Sequence, residues 1–164
     1  MVIAIHPTSR GFGWTLFETP NRLATWAIAD APGSDKNAKS LERVEKLFDT
    51  YSPSVVVLEE FESKPARRSD RVKRLYRAII RLAEKHNMEV RIYPRTAVED
   101  CFQSVGAKTR YEIAQAVAMH VDALRHALPP KPKLWHSEHR RMGLFQAAAL
   151  ALTYFSTAGD EEAG

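Results

Sequence analysis

The chain opens MVIAIHPTSRGFGWTLFE, residues Met1–Glu18. Val2, Ile3, Ala4 and Ile5 form an uninterrupted apolar run, the pattern of a strand covered on both faces. His6-Pro7 closes the run, since proline cannot donate to a sheet ladder. Thr8-Ser9-Arg10-Gly11 reads as a tight turn, and Phe12–Glu18 as a returning strand whose alternate residues face opposite sides. His6, Thr8, Ser9 and Arg10 then sit at the carboxyl end of a central strand, where open α/β sheets hold their sites.

The remaining elements follow from pattern. Arg22–Ala29 continues a meander as a third strand. Lys39–Tyr51 is a helix, with Leu41, Val44, Leu47 and Phe48 at helical spacing, stopped by Ser52-Pro53. Val55-Val56-Val57-Leu58 is β-branched and unbroken, so Ser54–Glu59 belongs at the centre of the sheet, parallel to the first strand through a right-handed crossover. That arrangement brings His6 and Glu59 to one sheet edge, with Glu59 facing the site and Glu60 away. A long helix is predicted from Pro65 to His86, a fifth strand over Glu89–Tyr93, a short helix over Arg95–Phe102, another over Lys108–Leu128, and a last helix from about Ser137 to Ser156.

With 164 residues and 45% hydrophobic content the chain is sized for one packed domain, residues 1–158, with 159–164 as a frayed acidic tail. No apolar run approaches a membrane span, and the opening lacks the basic start of a signal peptide, so no membrane partner is expected. The single cysteine, Cys101, fits a reducing cytoplasm. A net charge of +4 is modest, but basic residues crowd Lys64–Lys85 and Lys131–Arg141, a distribution that suits a polyanion.

Four short motifs in order resemble the RuvC-type Holliday-junction resolvases of the ribonuclease H-like superfamily. They are Ile5-His6-Pro7-Thr8-Ser9-Arg10, Val57-Leu58-Glu59, the segment Tyr93–Thr109 with its Val-Gly-Ala-Lys, and Phe145-Gln146-Ala147-Ala148-Ala149-Leu150-Ala151-Leu152. The resemblance implies an α/β, ribonuclease H-like fold: a five-stranded mixed sheet with helices on both faces. It also implies phosphodiester hydrolysis by two divalent cations roughly 3.5–4 Å apart, held by several carboxylates. Further, it implies DNA, in branched form, as partner, and a homodimer, because paired cuts need two sites.

In the positions of that site the chain keeps Glu59 but has His6 for the aspartate of strand one, Gln146 for the aspartate of the closing helix, and Gly143 one turn earlier. Glutamine offers a neutral oxygen, and imidazole a nitrogen suited to transition metals, so a magnesium pair would be under-neutralised. A rearranged single-metal site of His6, Glu59, Glu62, Glu138 and His139 is one alternative, with His139, Gly143 and Gln146 on one helical stripe. The plain alternative is that His136, Glu138 and His139 form a polar helix start. Candidate catalytic residues are therefore His6, Glu59, Gln146 and His139. Candidate phosphate contacts are Thr8, Ser9 and Arg10, the basic helix residues Arg67, Arg68, Arg71 and Arg74, then Lys108, Arg140 and Arg141.

Three functional readings remain open at this point. In the first, the chain binds DNA with its nuclease centre lost or weakened and needs no cofactor. In the second, it is an active endonuclease using magnesium or manganese in a rearranged site. In the third, it is a scaffold subunit whose basic faces meet acidic protein.

Overall fold

The computed structural model of the chain describes residues 1–63, 68–133 and 139–163, with side chains through 159. Five strands form one sheet in the order β3-β2-β1-β4-β5. They are β1 (Val2–Pro7), β2 (Gly11–Thr19), β3 (Arg22–Asp30), β4 (Val55–Glu59) and β5 (Glu89–Tyr93). The helices are α1 (Lys36–Tyr51), α2 (Asp70–Lys85), α3 (Arg95–Gln103), α4 (Arg110–His120) and α5 (Met142–Ala163), with a 3₁₀ helix over Asp122–Ala127. The meander β1-β2-β3 is antiparallel, and β1-β4-β5 is parallel. This is the expected mixed sheet. Among the described residues no helix is long and apolar enough to cross a membrane.

The strands at the centre bury both faces, as their unbroken apolar runs require. On one face Ile3, Ile5, Val56 and Leu58 pack with Val44 and Phe48 of α1 and Leu75, Tyr76 and Ile79 of α2. On the other, Val2, Ala4, Val55 and Val57 pack with Val98 of α3, Val117 of α4 and Phe145, Ala148 and Ala149 of α5. Burying a side chain such as Phe48 or Phe145, each 1% exposed, contributes about 1.5–3 kcal/mol. Alternation along β1 and β4 carries His6 and Glu59 to the second face, above Ala4 and Val57. Ala4 pairs with Val57, the last pair of the β1–β4 ladder, and His6 and Glu59 lie two residues beyond it on the same face.

Helix α5 presses onto this face through small residues. A Cβ on Gly13 of β2 would stand 2.6 Å from the carbonyl carbon of Gly143 and 2.8 Å from the nitrogen of Leu144. Glycine at position 13 is what allows α5 to cross β2 so closely, whereas a Cβ on Gly143 would press only on the Thr8 methyl, at 3.1 Å. Gly143 therefore serves a contact between helix and sheet where the resemblance expects a metal ligand.

Several expected boundaries are corrected. Helix α2 begins at Asp70, capped by the Ser69 side chain, which accepts from the Val72 N–H, so Arg68 precedes the helix instead of riding on it. Arg67 lies outside the described residues. The predicted helix over Lys108–Leu128 stops at His120. Val121 is buried with extended backbone (φ −114°, ψ 93°), and the 3₁₀ helix follows. Helix α5 starts at Met142, later than the expected start near Ser137, and its backbone continues through Ala163. Residues 139–141 form a turn, in which Arg140 reaches across to Asp30 at the end of β3 (2.7 Å).

Candidate functional site

At the carboxyl end of β1 and β4, His6, Glu59 and Gln146 are all buried, at 5%, 6% and 8% exposure. Two strand ends and the first turns of α5 carry them, and Glu59 and Gln146 line one small cleft. Glu60 faces elsewhere and closes its own turn, accepting from the Glu62 N–H (2.7 Å), the Ser63 N–H (2.8 Å) and the Ser63 hydroxyl. Those bonds hold its carboxyl below the usual carboxylate range, the Ser63 hydroxyl contributing most.

The Glu59 carboxylate is already matched by a cation. Its Oε2 accepts from Nη2 of Arg68, and both side chains are largely removed from water, at 8% and 16% exposure. Arg68 is held in place by an aromatic stack. Its guanidinium lies 5.6 Å from the ring centre of Tyr76, which stacks on Phe61 at 4.5 Å and 9°. Burial of Tyr76 pushes its phenol well above the ordinary tyrosine range, so it stays neutral beside the pair.

Two further arginines that sequence reasoning missed complete the surroundings. Arg95 and Arg110, the first residues of α3 and α4, line one cleft with Glu59. Both follow cap residues, Pro94 and Thr109, and β5 ends beside Glu59 because Tyr93 pairs with it. The order of elements alone therefore carried a signal for Arg95. Burial, then the nearby Arg110, holds the Arg95 guanidinium below its ordinary value. Burial, then the charges of Arg68, Arg110 and Arg95, pushes His6 well below the ordinary imidazole range. His6 is thus a neutral imidazole at physiological pH, and its buried Nδ1 has no hydrogen-bond partner among the described residues.

These groups do not fit a pair of magnesium ions. The one carboxylate in register is neutralised by an internal guanidinium, the imidazole is surrounded by positive charge, and Gln146 brings no charge. Among the described residues no three His, Cys, Asp or Glu side chains come together in a metal-binding group.

The rearranged metal site is not assembled either. Glu62 is exposed and held in two contacts by Arg77 (2.9 and 3.1 Å). His139 is in the turn before α5, so the helical stripe proposed for it with Gly143 and Gln146 does not exist. It lines a second cleft, of about 250 Å³, with His6, Thr8, Arg10 and Arg140. Glu138 and His136 lie outside the described residues.

Of the expected phosphate contacts, several are used inside the fold. The Thr8 hydroxyl accepts from the N–H groups of Arg10 and Gly11, both at 3.2 Å, closing the β1–β2 turn. Arg71 clamps that turn to α1, donating to Thr8 O (3.2 Å), Ser9 O (3.4 Å) and Asn37 Oδ1 (2.9 Å). Arg68 is bound to Glu59 and Arg140 to Asp30, while Arg141 is half-buried. Ser9, Arg10, Arg74 and Lys108 are exposed.

No family model matches the chain, and no curated protein matches it significantly by sequence. Solved structures do match. RuvC of Thermus thermophilus aligns over 96% of both chains with a TM-score of 0.63 and 18% identity. The Fowlpox virus resolvase, in complex with substrate Holliday junction DNA, aligns over 96% of this chain and 99% of its own, with a TM-score of 0.58 and 15% identity. The yeast mitochondrial Holliday junction resolvase Ydc2 aligns over 94% of this chain and 77% of its own, with a TM-score of 0.62 and 12% identity. Over nearly its whole length, then, the chain carries the ribonuclease H-like fold in the form shared by the RuvC-type Holliday-junction resolvases.

Proposed function

We propose that this chain binds branched DNA along the carboxyl end of its sheet and does not hydrolyse it by a two-metal route. One observation carries the second half: Arg68 pairs with Glu59, the one acid left in register, and so stands where a cation would. The first half draws support from the fold, whose neighbours act on Holliday junctions, and from exposed basic residues: Arg10 in the β1–β2 turn beside His6, Arg74 on α2 and Lys108 just before α4. His6 contributes a neutral ring, able to accept or donate one hydrogen bond without adding charge. As a homodimer, the form the resemblance implies, the chain would present two such edges to one four-way junction.

Fluorescence anisotropy with a labelled four-way junction and a linear duplex of equal length tests this reading. Counterion release gives a junction affinity that falls steeply between about 50 and about 200 mM salt. The junction should bind more tightly than the duplex, and no cleavage product should form with magnesium or manganese. Cleavage that requires either ion and disappears in Glu59→Gln would overturn the proposal.

A further inference from the structure

The turn between β1 and β2, Thr8 to Gly11, stands beside His6, and all four of its carbonyl oxygens are engaged. Thr8 N–H donates to Gly11 O (2.8 Å), and Ala31 N–H donates to Arg10 O (2.7 Å). Ser9 O accepts from Lys36 Nζ (3.1 Å) and from Arg71 Nη2 (3.4 Å), which also donates to Thr8 O (3.2 Å). Two of the four oxygens thus face a cation, where open carbonyls would repel an anion. The turn leaves its positive side to solvent, with the Ser9 and Arg10 side chains exposed. Asp30, the carboxylate of the same cleft, is paired with Arg140, and no described carboxylate pairs with Arg10.

Arg71 is itself fixed. Its Nη1 donates to Asn37 Oδ1 (2.9 Å), and Asn37 Nδ2 donates back to Arg71 O (3.0 Å). The two are half-buried, each the second residue of its helix, so their reciprocal pair joins the starts of α1 and α2. With both Nη groups engaged, Arg71 can act on a partner only through the turn it holds. An arginine on a fixed turn gives up less freedom on binding than one on a loose loop, and binds more tightly for it. We propose that Asn37 and Arg71 are positioning residues: they latch the β1–β2 turn in the shape that presents Arg10 to a backbone phosphate. The identity of that partner rests on the DNA reading above; the latch does not.

The test is a double-mutant cycle on four-way-junction affinity, read by anisotropy across a salt series at a temperature where circular dichroism shows every variant folded. Arg10→Gln should lower the salt slope by about one. Asn37→Ala changes no charge, yet should weaken the junction several-fold by freeing Arg71. Arg71→Lys, which keeps the charge and loses the fork, should do the same, and stands in should the alanine variant misfold. In the Arg10→Gln background neither change should weaken binding further. A latch with a structural role alone would lower the unfolding midpoint and leave affinity untouched. That result, or an equal loss with and without Arg10, would overturn the proposal.

Linear inorganic polyphosphate, taken through the same cycle, separates the two readings. Coupling between Asn37 and Arg10 on polyphosphate, in a chain that binds no junction, would sink the DNA reading alone and leave the latch standing. Binding of neither probe by the unaltered chain would sink both.

Discussion

Removing the Arg68 guanidinium should strand the Glu59 carboxylate, and the size of the effect follows from burial. Breaking a buried ion pair by deleting one partner costs about 3–5 kcal/mol, because the remaining charge is left desolvated. Here Glu59 is 8% and Arg68 16% exposed, and Arg95 and Arg110 supply some compensating charge. That places Arg68→Met near the lower end, about 3 kcal/mol, which for a domain of this size lowers the unfolding midpoint by roughly 6–12 °C. Loss of the contact with Tyr76 adds about 0.5–1 kcal/mol. The double variant Arg68→Met with Glu59→Gln removes both charges, so it should recover more than half of the loss. Urea unfolding followed by circular dichroism gives the four free energies of the cycle. A cost for Arg68→Met below about 1 kcal/mol, or a double variant as unstable as the sum of the singles, would refute the reasoning.

Three other substitutions probe the surrounding architecture. His6 binds its proton less readily folded than unfolded, so its contribution to stability is present above its unfolded pKa of about 6.5 and is lost as pH falls below it. Unfolding free energy should decline with a slope of up to about 1.4 kcal/mol per pH unit in that window, and His6→Gln should remove that part of the slope. Gly13→Ala drives a methyl into the Gly143 backbone, which cannot step aside, and should cost about 2–3 kcal/mol by urea unfolding. Arg71→Ala removes the donor that clamps the β1–β2 turn to α1, costing about 1–2 kcal/mol, and should speed amide exchange at Gly11.

Much of the architecture is legible in the sequence because it is periodic. The apolar runs Val2–Ile5 and Val55–Leu58 announce central parallel strands, and alternation fixes that His6 and Glu59 share a face. The closing helix carries Gln146 to the small cleft it shares with Glu59. The site's electrostatics are not periodic and stayed hidden. Arg68 reads as one basic residue among many along Arg67–Arg81, and only the Ser69 cap reveals that it precedes the helix and turns inward to Glu59. Arg95 and Arg110 sit at helix starts whose meeting point depends on the packing of α3 and α4 around β5, a long-range fact with no local signature. His139 is likewise off the closing helix: it lies in the turn 139–141, where Arg140 pairs with Asp30 at the end of β3, and α5 begins only at Met142.

The most direct question is whether divalent cations bind at Glu59. Electron paramagnetic resonance of free manganese, titrated into the protein at low salt, counts the ions taken up. With a guanidinium standing in the cation's place, the unaltered chain should show no saturable uptake in the millimolar range, and Glu59→Gln should behave identically. Two ions per chain bound in the unaltered protein and lost in Glu59→Gln would contradict the account.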